Sequence, residues 1–276
     1  MKIYIIFILA LLFFSILVSF VPSGFIPTNL ADAILKTSTF LFAILAGFCI
    51  AATITDYNDL RTNISREIGE FINLYRNIYV YNQEQAQKLA ALIDVYIRRT
   101  FDYEIIEYAK QTELEFANIE HFIKELPIEQ EKISIFQKIL STMEQLTNSR
   151  QKLFVLNSHA VPKIQWIILV TLALTIIFSL LSFSTDNLFF KAMIVVISAC
   201  LVLVLRLIQE LDLCIWNEET FAYELYQNVF KAIGQLPYYP AESIKNGRYI
   251  SEEKEYRVGT LIDPKTFERK IDTIKN

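Results

Sequence analysis

Three stretches of this chain carry no charged side chain: residues 3–31, 37–55 and 164–185. About 20 consecutive apolar residues make a helix long enough to cross a bilayer core. Inside that core each backbone N–H and C=O must be bonded within the segment, so such runs fold as helices. A fourth run, Ala192–Leu205, is shorter and lies between Lys191 and Arg206. Those two side chains can extend their stems toward the interfaces, and we count the run as the fourth span. The chain is 53% hydrophobic with a mean hydropathy of +0.34. That excess over a soluble domain is concentrated in these runs. The first run is longer than the apolar core of a usual signal peptide, and SFVPSG has no small-x-small cleavage site. We therefore retain it as a span.

Positive charge sets the expected orientation. Arg61, Arg66, Arg76, Arg150, Lys152 and Lys163 flank the long segment between spans two and three, while loops 21–30 and 185–191 offer little positive charge. The middle segment and the C-terminal tail are therefore expected in the cytoplasm. The organisation expected is 1–55 for the first two spans, 56–160 for a cytoplasmic helical region, 161–209 for spans three and four, and 210–276 for a C-terminal helix and extended tail. The fold class is all-α, an integral membrane protein with four transmembrane helices and long cytoplasmic helical extensions.

The middle segment has helical periodicity. Ile64, Ile68, Phe71, Ile72, Tyr75, Ile78 and Tyr79 recur at three- and four-residue steps and make one apolar face. This helix continues span two from Asp56 to Tyr81. Asn82 is placed to cap a second helix. Pro127 divides a third helix, about 112–125, from a fourth, about 128–157. Glu218–Ile233 reads as one more amphipathic helix, and the tail after it as extended, with one hairpin.

Several function classes fall away. A net charge of −4 argues against nucleic acid as a partner. Cys49, Cys200 and Cys214 are far apart and form no CxxC pair, as expected of reduced thiols. His121 and His159 are the two histidines, and HExxH, P-loop and GxSxG motifs are missing from the sequence. No metal, cofactor or catalytic residue is expected, and the protein is not read as an enzyme.

The second span, FLFAILAGFCIAATITDYNDLRTN from residue 40, has two rows. Side chains four apart stack along one side of a helix. Phe40, Ile44 and Phe48 form a bulky apolar row, and Ala43, Gly47 and Ala51 form a small one beside it. The small row allows another helix to approach closely. Several copies of the bulky row around an axis would make a hydrophobic constriction that gates by dewetting. The same alternation of small and large is also what an ordinary packed membrane helix shows. Asp56 and Asp59 mark the exit of this span, where aspartate repels anions unless it is turned outward or paired with Arg61. At the end of the fourth run Arg206 and Glu210 form an i, i+4 charge pair at the interface.

Gly47-Phe48, on an apolar helix that runs directly into a polar one, resembles the second span of bestrophins. Further motifs are similar to the bacterial bestrophin-like domain family. SREIGEFINLYRNIYV carries Glu67, Leu74, Tyr75 and Arg76; LIDVYIRRTFDYE carries Tyr96 and Glu104; SRQKLFVLNSHAVPKIQW carries Arg150, Pro162 and Trp166; and LRLIQELD closes the last span. The resemblance covers roughly 35–215. It implies a homo-oligomer, with five subunits the expected number, in the plasma (inner) membrane of a bacterium. It also implies passive conduction of inorganic anions of the chloride type, with Phe40, Ile44 and Phe48 as the neck. Glu67, Tyr75 and Arg76 follow from the family pattern as structural residues of the cytoplasmic helices. Two features depart from the family. Leu213-Cys214-Ile215-Trp216 stands where the family often has Pro-Phe and Gly, and Glu210, Asp212, Glu218 and Glu219 do not make the dense acidic cluster of the animal calcium site. Calcium gating is therefore not expected. The alternative is a non-conducting oligomeric scaffold that presents its cytoplasmic helices to a partner.

Overall fold

The computed structural model describes residues 3–20, 26–105, 107–155, 161–183, 187–213, 218–245, 253–263 and 267–275, with the backbone alone at residue 3 and at 218–224. It divides into two compact units. The first is Met1–Tyr57 with His159–Ile215, and the second is Asn58–Ser158 with Trp216–Asn276.

The first unit is built from α1 (Ile3–Phe20), the start of α2 (Thr28–Tyr81), α7 (Lys163–Ser182) and α8 (Leu188–Asp212). Two apolar clusters hold it. Ala10, Phe14 and Val18, at four-residue steps on α1, meet Ile177 and Leu181 of α7 and Ile194, Val195 and Ala199 of α8. Phe42, Ala46 and Cys49 of α2 meet Leu169, Ala173 and Ile176 of α7 and Ile208 of α8. Asp212 fixes the start of α7 by accepting from the Val161 backbone N–H (2.9 Å) and the Trp166 indole N–H (3.4 Å).

Among the described residues α2, α7 and α8 are long and apolar enough to cross a membrane, while α1 is a shorter apolar helix. The helices do not coincide with the charge-free runs. Thr28–Ala31, the end of the first run, already belongs to α2, and α8 passes without a break through Lys191 and Arg206. Helix boundaries follow backbone bonding, and a single long cationic side chain does not interrupt it.

The second unit contains the rest of α2, then α3 (Gln83–Thr100), α4 (Tyr108–Gln111), α5 (Glu113–Lys124) and α6 (Ile133–Val155). Asn82 caps α3, its side chain accepting from the Gln85 N–H at 3.1 Å. Pro127 lies between α5 and α6, and a 3-10 turn at Gln130–Lys132 delays the start of α6 to residue 133. After α9 (Glu218–Ala232) the tail forms β1 (Tyr238–Pro240), α10 (Ala241–Lys245), β2 (Glu255–Asp263) and β3 (Glu268–Lys275). The sheet order is β1-β2-β3. β2 and β3 pair antiparallel, Tyr256 opposite Ile274, and β1 adds a parallel neighbour that the sequence reading lacks. Gly259 is required in β2, since a Cβ there would overlap the Tyr238 ring. Ion pairs tie the sheet to α3 and the turn after it: Arg257 to Asp94 at 2.6 Å, and Arg269 to Asp102 at 2.6 Å.

Candidate functional site

The membrane part of α2 separates its residues cleanly by face. Phe42, Ala46, Cys49 and Thr53 are buried against the rest of their unit. Thr53 donates to the Cys49 carbonyl at 2.9 Å, so its hydroxyl is satisfied on its own helix. Phe40, Ile44 and Phe48 stand exposed, at 66%, 44% and 70%. Ala43, Gly47 and Ala51 are exposed as well, and a Cβ built on Gly47 meets no atom within 4 Å. The small row therefore has no packing partner within the chain among the described residues. A large apolar row left open on a helix buried on its other side is a surface for something outside the chain.

On α8, the Arg206 guanidinium donates to Glu210 at 3.0 Å and to Gln209 at 2.7 Å. Both members of the pair are about a quarter exposed. The three residues fall on one side of α8, as the i, i+4 spacing requires.

The second unit holds a cluster that the sequence shows only in part. Glu67 of α2 is fully buried. Its carboxyl oxygens accept from three phenols: Tyr96 of α3 at 2.6 Å, Tyr108 of α4 at 2.7 Å and Tyr226 of α9 at 3.1 Å. Arg150 of α6, also buried, lies 3.9 Å away. Its guanidinium donates to the Tyr96 hydroxyl, to the Ala109 carbonyl and, at 3.1 Å, to Thr112 Oγ1. The same guanidinium sits over the Phe116 ring, 4.5 Å from its centroid. A buried charge persists when it is paired and hydrogen-bonded, and both conditions are met here. Burial, followed by the adjacent Glu67 charge, pushes the hydroxyls of Tyr96, Tyr108 and Tyr226 well above the ordinary phenol value.

The family pattern singled out Glu67, Tyr75 and Arg76 on the first cytoplasmic helix. The structure brings only Glu67 into the cluster, with Tyr96 and Arg150 from the other motifs. Tyr75 is half-buried with its ring 6.2 Å from Tyr79, and Arg76 is exposed. Tyr108 and Tyr226 were missed. Both are aromatic positions on amphipathic helices, and nothing local marks them as partners of a residue at 67. Asp59 is exposed and Asp56 half-buried. His121 pairs with Glu125 at 3.2 Å on the surface of α5. His159 and Cys214 lie outside the described residues. Among the described residues no cluster of His, Cys, Asp or Glu has the arrangement of a metal site.

The Bestrophin-like domain family matches residues 4–213. This chain belongs to that family. It is a membrane protein, with apolar helices to match. Two solved structures of a bacterial bestrophin homolog from Klebsiella pneumoniae, each carrying a different point mutation, are similar in fold to this family member. One has a TM-score of 0.60 at 13% identity, covering 85% of this chain and 100% of that one. The other has a TM-score of 0.60 at 14% identity, with the same coverage. A crystal structure of a point variant described as a membrane protein has a TM-score of 0.63 at 14% identity, covering 85% of this chain and 99% of the other. At these identities the likeness is one of fold. No curated protein matches the chain.

Proposed function

We propose that this Bestrophin-like protein is a passive anion channel of the chloride type, assembled as a homo-oligomer of five subunits in the plasma membrane of a bacterium. The observation that carries this reading is the open row of α2. Phe40, Ile44 and Phe48 are exposed on a helix whose other face is packed, in a member of this family. Around a symmetry axis the three side chains make stacked apolar rings, a neck that passes ions when it is wetted. The open small row at Ala43, Gly47 and Ala51 gives the neighbouring subunit a surface of close approach. Four spans place both termini and the segment 56–160 on the cytoplasmic side, in keeping with the positive charge at Arg61, Arg66, Lys152 and Lys163. No bond is made or broken in this function, and no cofactor takes part.

Chloride efflux from liposomes carrying the purified protein tests the reading. Wild type is compared with the double variant Ile44→Ala/Phe48→Ala. A wider, wetter neck raises the flux of the variant. Equal flux from the two removes the neck from this stretch. No flux from either, with correctly inserted protein, leaves α2 as a packed anchor and favours the non-conducting scaffold.

A further inference from the structure

A cleft of about 920 Å³ lies in the second unit between α2 and α6. Small-molecule sites occupy roughly 300–1,000 Å³. Its α2 wall presents Asp59, Thr62 and Arg66, and its α6 wall presents Asn148, Gln151 and Lys152. All six are polar and exposed, the α2 residues at steps of three and four and the α6 residues three and four positions after the first. Two such stripes face each other with no ion pair between them: neither Arg66 nor Lys152 has a carboxylate partner among the described residues. Two unpaired cations and one carboxylate leave the cleft a single net positive charge.

We propose that the cleft binds a small organic monocarboxylate, held by Arg66 and Lys152 with amide and hydroxyl donors from Asn148, Gln151 and Thr62. The inference rests on the channel reading and gives it a cargo larger than a halide. The guanidinium fork of Arg66 matches the two oxygens of a carboxylate, and Lys152 adds a second charge from the facing helix. Asp59 limits the site to one negative charge, because a dianion would place its second carboxylate against the aspartate. The volume accommodates a short carbon chain as well as the head group.

The test is saturation-transfer NMR on the full-length protein in detergent, with sodium butyrate as the probe and butyramide as its uncharged counterpart. Wild type is expected to bind butyrate and not butyramide. Arg66→Gln/Lys152→Gln is expected to weaken butyrate binding at least tenfold while eluting from size-exclusion chromatography as wild type does. Asp59→Asn is expected to admit succinate more tightly than wild type does. Equal binding of butyramide, undiminished binding by the double variant, or no binding by wild type each overturns the proposal. The readout does not depend on conduction. Binding by a protein that passes no chloride keeps the site and removes the channel, whereas chloride flux without butyrate binding keeps the channel and removes the site.

Discussion

The buried Glu67 cluster shows how one residue can fix several helices. Tyr96 serves two functions there, donating to Glu67 and accepting from Arg150, so its hydroxyl bridges the buried charges. Tyr108 and Tyr226 each make one bond to the carboxyl group. Loss of a buried hydrogen bond costs about 1–3 kcal/mol when a charged partner remains. Tyr96→Phe is therefore expected to lower the thermal unfolding temperature more than Tyr108→Phe or Tyr226→Phe, and an inverted order would deny the bridging role. Glu67→Ala leaves Arg150 buried without its counter-charge and is expected to cost about 3–5 kcal/mol. The phenols also set an alkaline limit. The folded pKa values of Tyr96, Tyr108 and Tyr226 are raised well above the ordinary phenol value. The neutral phenol is thus favoured by folding, so this stabilisation is complete below about pH 10 and is lost as pH rises through the folded values. Wild type should lose stability above about pH 10 more steeply than a variant with phenylalanine at 96, 108 and 226. Parallel curves would show that the tyrosines do not control this range.

At the scale of elements, what could be read from sequence depended on how local each signal is. The cap of α3 at Asn82 depends on residues within one turn, so it was legible, and Asn82→Ala is expected to cost about 1 kcal/mol, read as a lowered unfolding midpoint. The periodic face of α2 beyond Tyr57 was legible in part for the same reason: Ile64, Ile68, Phe71 and Ile78 are buried, while Tyr79 is exposed and Leu74, left out of that face, is buried. The parallel pairing of β1 with β2 was not, because Tyr238 and Arg257 meet across α10. Nor was the Glu67 cluster, whose partners sit at positions 96, 108, 150 and 226, on four other elements. The small row of α2 was legible as a pattern, but the sequence could not say whether a helix of the same chain covers it. The structure leaves Gly47 open, which sharpens its test. Gly47→Leu should leave the unfolding temperature of the chain nearly unchanged, because the added side chain meets nothing within it. The oligomer should instead fall apart on size-exclusion chromatography. An intact assembly in that variant would place the contact between subunits on another face.

For the whole molecule, the proposed function gives the two faces of α2 different tasks, folding on one and assembly and conduction on the other. Phe42 is buried with Ala173 and Ile176 in the core of its unit, and Phe48, six residues on, is exposed. Both are phenylalanines in the same charge-free run, so hydropathy treats them alike. Phe42→Ala opens a cavity among packed side chains and is expected to cost about 3–5 kcal/mol, read as lower thermal stability and a poor yield of folded protein. Phe48→Ala removes a ring that touches no core and is expected to leave stability of the chain nearly unchanged while raising chloride flux. A matched pair of measurements, unfolding temperature and liposome efflux on the two variants, should thus give opposite patterns. If Phe48→Ala destabilises as much as Phe42→Ala and leaves efflux unaltered, the exposed row is ordinary membrane packing. If the patterns cross as expected, one helix supports the fold with one face and lines the pathway with the other.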